Sequence, residues 1–179
     1  MGAYTYVKAS YRDIEKLYDP TYFPLALSNP LESVLNPNCR VYVDRSKKVF
    51  SYRRLNSCEE FTEILTNFVV GIAIDPIKAV ANLDTLAVYG EYGYLLEKGK
   101  STTVVEARGK SVYPLVKEGS KVAKGERLFY VVTGKHEVRV VRSPIDGVLF
   151  AISELIPSEV QVLRAVLVKE HELTMLKRV

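Results

Sequence analysis

The residue with the clearest chemical potential is Lys135, whose primary amine lies in the segment Thr133-Gly134-Lys135-His136. Valine-rich runs flank this segment, so we expect an antiparallel hairpin with Lys135 at its tip. Gly134 accepts the positive φ that a type II′ turn requires at its first central position, and this turn directs Lys135 outward. A lysine held clear of the protein can carry an acyl group on a swinging arm that reaches two active sites.

The elements around this hairpin form a β-rich C-terminal half. From Lys98 onward, short valine-rich runs alternate with glycine or proline, a spacing typical of a sandwich or barrel. A shift of 38 residues superposes Gly109 on Gly147 and Ser120 on Ser158. This weak self-similarity predicts two similar β-units, related by a pseudo-twofold axis and joined by the hairpin.

The C-terminal half also resembles a known fold family. The stretch VKEGSKVAKGERLFYVVTGK at 116–135, followed by SPIDGVLF at 143–150, is similar to the biotinyl/lipoyl-attachment domains, also called single-hybrid motifs or barrel-sandwich hybrids. The resemblance implies a flattened β-barrel of two similar units. It also places Lys135, ten residues after Gly125, at the position that carries biotin or lipoate.

The neighbours of Lys135 differ from those that the attaching ligases of that family recognise. Biotin carriers place methionines on both sides of the lysine, whereas this chain has Gly134 and His136. Lipoyl carriers place an acidic residue three positions before it and alanine after it, whereas this chain has Val132 and His136. We therefore expect an unmodified copy of the fold without a cofactor, and keep biotin or lipoate on Lys135 as the alternative.

The whole chain resembles a further group within this fold family. Its tyrosine-rich N-terminal half, joined to the C-terminal β-units, is similar to stand-alone archaeal proteins of unassigned role, with methanogens as the expected source. This resemblance implies no particular chemistry.

The N-terminal half predicts a smaller α+β domain over residues 1–98, so the chain as a whole is expected to be α+β and mainly β. Ser10 begins a short helix that Asp19-Pro20 ends, and Asn29-Pro30 precedes a short turn that Asn36-Pro37 stops. Branched and aromatic residues on both sides of 44–48 predict a hairpin. The second domain, residues 99–179, is the barrel-sandwich unit.

Two further elements of the N-terminal half follow from local patterns. Ser57 and Glu60 form a capping box, and apolar residues at helical spacing follow from Phe61 to Phe68, which predicts a helix. The apolar run at 69–74 predicts a buried strand. Two more strands are expected on either side of Gly90.

Charge and composition limit the functional classes. The segment from Lys98 to Arg142 holds eleven basic and four acidic residues, and its net charge of +7 contrasts with −3 for the remainder. A basic face can attract nucleic acid or another anionic ligand, but basic residues also protect exposed strands from pairing. Ten of the twelve tyrosines precede this segment, and only Tyr113 and Tyr130 lie within it, so we expect half-buried strand tyrosines rather than a base-stacking surface.

The sequence indicates a protein of the cytoplasm without a membrane span. Its longest apolar stretch, 68–74, is far shorter than the roughly 20 residues of a transmembrane helix. The N-terminus lacks the pattern of a secretion signal. Cys39 and Cys58 are too few for a disulfide framework and too far apart for a CxxC site.

Catalytic and metal sites are not expected. His136-Glu137 and His171-Glu172 contain the only histidines, and strand neighbours point to opposite faces, so neither pair is well placed to chelate one ion. No Gly-x-Ser-x-Gly elbow or complete phosphate-binding loop is present. The leading hypothesis is a non-enzymatic, unmodified module for protein assembly or docking. The alternatives are a carrier modified on Lys135, and binding of an anionic ligand or nucleic acid by the basic face.

Overall fold

The computed structural model describes residues 3–18, 34–155 and 159–179. Within these ranges the chain is mainly β, as predicted. The strands are β1 (Tyr4–Val7), β2 (Leu35–Asp44), β3 (Val49–Ser51), β4 (Glu59–Ile64), β5 (Ile74–Asp75), β6 (Val80–Ala81), β7 (Thr85–Val88), β8 (Tyr92–Leu96), β9 (Thr103–Gly109), β10 (Ser111–Pro114), β11 (Lys121–Val122), β12 (Arg127–Val132), β13 (Val138–Arg142), β14 (Gly147–Glu154), β15 (Gln161–Val168) and β16 (Leu173–Arg178).

The helical segments are short. They are α1 (Tyr11–Leu17), α2 (Thr66–Phe68), a π-helical turn at Val69–Ala73 and a 3₁₀ turn at Glu170–Glu172. All helices of the described ranges are too short or too polar to traverse a bilayer.

Seven strands close into a barrel in the order β1-β4-β2-β3-β16-β8-β7, and β7 pairs back onto β1. Neighbouring strands are antiparallel except β16 and β3, which run parallel. Every strand contributes to the apolar interior, which consists of Tyr6, Val41, Val43, Phe50, Phe61, Leu86, Val88, Leu95 and Leu176. The C-terminal strand is therefore a structural part of the barrel that the N-terminal half builds.

The chain leaves the barrel after β8 and forms two further sheets before β16 returns. The hairpin sheet has the order β10-β12-β13, and the inner sheet has the order β11-β14-β15-β9. A shared apolar cluster packs between them, with Phe129 and Val131 from the hairpin sheet against Leu149 and Leu163 from the inner sheet. The two sheets thus form a layered β unit, which we call the sandwich unit (residues 103–168).

Two glycines occupy corresponding places in the sandwich unit. A Cβ on Gly109 would lie 2.7 Å from the carbonyl oxygen of Val132, the last residue of β12. A Cβ on Gly147 would lie 2.5 Å from the carbonyl oxygen of Val168, the last residue of β15. Both positions require close backbone approach, which agrees with the predicted repeat. Ser158, which belongs to the predicted repeat, lies outside the described residues.

The barrel and the sandwich unit share a second large core. Val148, Phe150 and Val168 of the inner sheet join Val7 and Ile14 of the N-terminal half in one buried cluster. Hydrogen bonds cross the same boundary: Ser153 Oγ donates to the Thr66 carbonyl at 2.7 Å. The inner sheet is therefore buried on both faces, whereas the hairpin sheet is covered only on the face that meets the inner sheet.

The predicted helix that begins at Ser57 is wrong, because 59–64 form β4, which pairs with β1 on one side and β2 on the other. Phe61 enters the barrel interior, whereas Ile64 enters the core shared with the sandwich unit. A strand with two buried faces places apolar residues at both odd and even positions. Their spacing therefore imitates a helical face.

The predicted strand at 69–74 is also wrong over most of its length. Val69–Ala73 form a kinked turn in which Val70 (φ −84°, ψ +123°) and Gly71 (φ +113°) leave helical geometry, and only Ile74 enters a strand. Burial on all sides explains the error, because an apolar run without periodicity does not distinguish a strand from a buried turn.

Other local predictions are confirmed. Ser10 Oγ accepts a hydrogen bond from Asp13 N at 3.3 Å and begins α1, and β2 pairs with β3 in the expected hairpin. β7 and β8 likewise pair on either side of Gly90. Asn36 and Pro37, predicted to stop a turn, lie inside β2 at an irregularity in its pairing with β4. Asp19-Pro20 and Asn29-Pro30 lie outside the described residues.

Candidate functional site

Lys135 lies in the connection between β12 and β13, which pair antiparallel as predicted. The turn, however, is not type II′. His136 N donates to the Thr133 carbonyl at 3.0 Å, Thr133 N donates to the Glu137 carbonyl at 2.8 Å, and the positive φ of +63° belongs to His136 rather than Gly134. This is a three-residue hairpin loop closed by a left-handed residue, the next commonest solution after the two-residue turns.

The amine of Lys135 is accessible in this loop. Gly134, Lys135 and His136 are all exposed, and among the described residues the Lys135 side chain has no hydrogen bond or ion pair. The position therefore fits covalent attachment of a biotinyl or lipoyl group as far as access is concerned. The side chains on either side of it, Gly134 and His136, still lack the features that the attaching ligases recognise.

The uncovered face of the hairpin sheet brings together residues that lie far apart in sequence. Tyr113 of β10 is directly opposite Tyr130 of β12, and Tyr130 is directly opposite Val140 of β13. Directly opposite residues project to the same side of a sheet. Tyr113 is 55% exposed and Val140 is 38% exposed. We call this row, with Arg127 and Arg142, the tyrosine face.

Two arginines lie directly opposite each other next to this row. Arg127 of β12 pairs in register with Arg142 of β13. Arg127 Nη1 donates to the Tyr130 hydroxyl at 3.3 Å, and Arg142 Nη1 donates to the Gly125 carbonyl at 2.9 Å. Neither guanidinium forms an ion pair with a described carboxylate. The register shifts between Arg127 and Phe129, so a β-bulge adjoins this pair, and like charges opposite each other on paired strands destabilise a sheet.

The edge of β13 is a separate surface. It is the last strand of the hairpin sheet, and within the described part of the chain no strand pairs with its outward side. Val138 on this edge is 65% exposed. Arg139 lies between Val138 and Val140, Arg142 ends the strand, and Arg139 lies 3.6 Å from Glu137.

A broad open cavity of about 850 Å³ lies at the turns that end the inner sheet. Lys121 Nζ lies 2.9 Å from Glu170 in this cavity, and the Lys124 backbone N donates to Asp146 Oδ1 at 2.7 Å. His171 lines this cavity, whereas His136 lies in the hairpin loop. Among the described residues, no group of three or more potential ligands is placed to hold a metal ion.

A cleft of about 430 Å³ lies between the barrel and the sandwich unit. Tyrosines of the N-terminal half line it, including Tyr89 and Tyr92, whose rings are 5.4 Å apart. Burial raises the pKa of the Glu118 carboxyl at its base, although Glu118 Oε2 accepts a hydrogen bond from Ala3 N at 2.7 Å. Most tyrosines that precede the basic segment in the sequence thus lie in the barrel or at its boundary with the sandwich unit.

A family model matches residues 34–161, which include most of the barrel and nearly the whole sandwich unit. Its description is an uncharacterized protein conserved in archaea, DUF2118. The chain belongs to this family. The predicted similarity to archaeal proteins of unassigned role is thereby confirmed, whereas the biotinyl/lipoyl resemblance stays a prediction.

One curated relative adds to the DUF2118 assignment. An uncharacterized protein of Methanocaldococcus jannaschii is 28% identical over 60 residues, a match that spans 34% of this chain and 37% of that protein. The matched part is therefore well under half of the relative's length.

Sequence reasoning located Lys135 but missed the tyrosine face. Tyr113 and Tyr130 were expected to be ordinary half-buried strand residues, and Tyr130 is indeed half-buried. The missed signal is that the only two tyrosines of the basic segment lie on strands that pair with each other. Pairing register across a connection of this length is not readable from local patterns.

Proposed function

We propose that this protein is a non-enzymatic docking module, in which the edge of β13 accepts an extended segment of a partner protein. The single observation that carries the proposal is that no strand of the described residues pairs with the outer edge of β13, where Val138 is 65% exposed. An edge strand offers unpaired N–H and C=O groups that a partner strand can complete, while alternate side chains give specificity.

The charges on this edge indicate the partner's chemistry. Strand β13 reads Val138-Arg139-Val140-Val141-Arg142, and all of these except Val141 are exposed, so a matching strand carries acidic residues beside the arginines and apolar residues beside Val138 and Val140. Charge complementarity of this kind raises association rates and excludes basic partners. We therefore expect an extended, acidic and apolar segment as the docked element.

We also propose that the C-terminal half is a barrel-sandwich hybrid, related in fold to the biotinyl/lipoyl-attachment domains. The corresponding glycines Gly109 and Gly147 and the hairpin between the two β-units support this interpretation. The proposed domains are residues 1–98 and 99–179, with β16 of the second domain completing the barrel of the first.

The proposed compartment is the cytoplasm. Cys39 and Cys58 are both free thiols in the fold. Unpaired cysteines are the usual state in a reducing compartment.

Affinity purification from the native host, followed by reconstitution with the purified partner, tests the docking proposal. We expect Val138→Lys to abolish binding, because a third basic residue on the edge opposes strand addition. Lys135→Arg serves as the matched control and should bind like the parent. Hydrogen exchange of the reconstituted complex should show protection at β13. Binding that survives Val138→Lys, or protection confined to other strands, contradicts the proposal.

A second candidate function is a carrier modified on Lys135, and the exposure of this side chain at the hairpin loop favours it. Intact mass of the protein from its own host separates the two functions. An unmodified mass supports the docking module, whereas a biotinyl or lipoyl adduct that disappears in Lys135→Arg supports the carrier. A streptavidin blot of both proteins provides an independent readout for biotin.

A further inference from the structure

We propose that the tyrosine face of the hairpin sheet binds single-stranded nucleic acid. The inference starts from register: Tyr113 and Tyr130 are directly opposite on adjacent strands and project to the uncovered side of the sheet. Neighbouring strands lie about 4.8 Å apart, so the two tyrosines present their side chains from adjacent positions on one face of the sheet. Exposed aromatic side chains on a sheet are the usual platform on which splayed bases stack.

The surroundings of this platform match the backbone of such a ligand. Arg127 and Arg142 lie opposite each other at one end of the tyrosine face, and no described carboxylate neutralises either one. A phosphate between the two guanidiniums would relieve their mutual repulsion and accept charge-assisted hydrogen bonds from both. Arg127 also donates to the Tyr130 hydroxyl, so the phosphate position and the stacking position are adjacent.

The wider charge distribution acts in the same direction. The segment 98–142 has a net charge of +7, and it includes all three strands of the hairpin sheet. Lys110 and Lys135 are exposed in the connections at the other end of these strands and form no ion pair within the described residues. Such a surface concentrates a polyanion before specific contacts form.

The platform selects a single strand over other anionic partners. In a duplex the base faces are stacked on one another and cannot meet the tyrosine rings. An acidic peptide could use Arg127 and Arg142 but gains little from two adjacent aromatic rings. The ligand that uses both features combines phosphates with unstacked bases.

This site shares Arg142 with the docking edge but otherwise uses different groups. A protein strand at β13 would use the backbone groups on the outward side of that strand, whereas the nucleic acid lies over the side chains of β10 and β12. An experiment can therefore contradict one of the two proposals without contradicting the other. Val138→Lys, at an edge residue outside the tyrosine face, is expected to disrupt the edge and leave stacking on Tyr113 and Tyr130 in place.

Fluorescence anisotropy with the full chain tests the inference. The probe is a labelled oligouridine or oligothymidine of about ten to fifteen nucleotides. We expect the logarithm of the binding constant to fall linearly with the logarithm of the salt concentration. In Arg127→Gln the slope of this line should become shallower by about 0.7. Arg53→Gln, which changes an exposed arginine after β3, is the matched control and should leave the slope unchanged.

Aromatic substitutions distinguish stacking from simple charge attraction. Tyr113→Ala should weaken binding by about 5- to 100-fold, whereas Tyr113→Phe should retain it, because the ring and not the hydroxyl stacks. Tyr11→Ala, which removes a tyrosine 47% exposed on α1, is the matched control. Tyr130→Ala should give a similar loss, with circular dichroism confirming that the variant is folded.

Several outcomes overturn the inference. Absent binding removes it, as does binding that is insensitive to salt. Equal affinity for a duplex of the same length, or no effect of Tyr113→Ala and Tyr130→Ala, shows a general polyanion surface instead. Stronger competition by an acidic peptide than by the oligonucleotide assigns the face to a protein partner.

Discussion

Gly147 packs directly against the backbone of Val168, so closely that a Cβ on Gly147 would lie 2.5 Å from the Val168 carbonyl oxygen. This contact joins the first residue of β14 to the last residue of β15. Gly109 makes the corresponding contact with Val132 in the other sheet. The Gly147 contact therefore packs two neighbouring strands of the inner sheet, whereas the Gly109 contact joins the inner sheet to the hairpin sheet.

The first prediction concerns these glycines. Gly147→Ala and Gly109→Ala should each lower the free energy of unfolding by about 1 to 3 kcal/mol, because the added methyl group forces the backbones apart. Gly134→Ala is the control, since a Cβ there meets nothing within 4 Å. Urea denaturation measures all three, and equal stabilities would contradict the packing role.

The second prediction concerns the return of the chain to the barrel. Leu176 of β16 is fully buried in the barrel interior, whereas its neighbour Met175 is 49% exposed. Leu176→Ala should cost about 2 to 5 kcal/mol through the cavity that it leaves. Met175→Ala should change stability by less than about 0.5 kcal/mol.

A fragment ending at residue 98 extends this test to the domain division. Without β16, strands β3 and β8 each lose a hydrogen-bonded neighbour. We expect residues 1–98 to show little cooperative unfolding by circular dichroism. A fragment that unfolds cooperatively would show that the barrel does not need its C-terminal strand.

The third prediction concerns the ion cluster around Arg45. Arg45 lies 2.8 Å from Asp84, and it also pairs with Glu59, which Lys8 contacts at 2.6 Å. Although burial acts to raise the pKa of Glu59 and Asp84, the hydrogen bonds to these carboxylates hold both pKa values below their usual range. The cluster is therefore a source of stability while its carboxylates are charged.

The sign of this effect can be measured. A carboxyl with a lowered pKa contributes stability above its unfolded pKa and loses it as pH falls through the lowered value. Arg45→Met should cost about 1 to 3 kcal/mol at neutral pH and progressively less in acid. Arg53→Met, at an exposed position, should cost little at any pH.

The fourth prediction concerns Glu118 at the boundary between barrel and sandwich unit. Burial raises the pKa of Glu118. Between the ordinary pKa of glutamate and the raised value, the folded protein therefore holds a proton that the unfolded chain has released. Stability should therefore fall as pH rises between the ordinary pKa of glutamate and the raised value, and then level off. Glu118→Gln, which keeps the acceptor for Ala3 N, should remove this decline. An unchanged pH profile for Glu118→Gln would contradict the assignment.

Local sequence patterns predicted the structure correctly where one short segment determines its own conformation. The Ser10 cap, the hairpin of β2 and β3 and the hairpin around Lys135 all follow from nearby residue types. The predicted turn type at Lys135 was wrong. Gly134 suits both a two-residue and a three-residue loop, and His136 adopts the left-handed conformation that closes the three-residue loop.

Predictions failed where burial occurs on two faces. β4 was interpreted as a helix because Phe61 and Ile64 are both buried, yet they belong to different cores. Periodicity assumes one buried face, and a barrel wall covered by a second unit violates that assumption. The same double coverage explains the error at 69–74.

The sequence by itself determined a mainly β chain with a glycine-punctuated C-terminal half, an exposed lysine in a hairpin and positive charge confined to 98–142. Only the tertiary structure decided that β16 closes the barrel and that Tyr113 meets Tyr130 beside two facing arginines. The physical reason is that strand pairing is non-local. Backbone hydrogen bonds join segments regardless of their separation in sequence, and register emerges only when both strands pack on a common core.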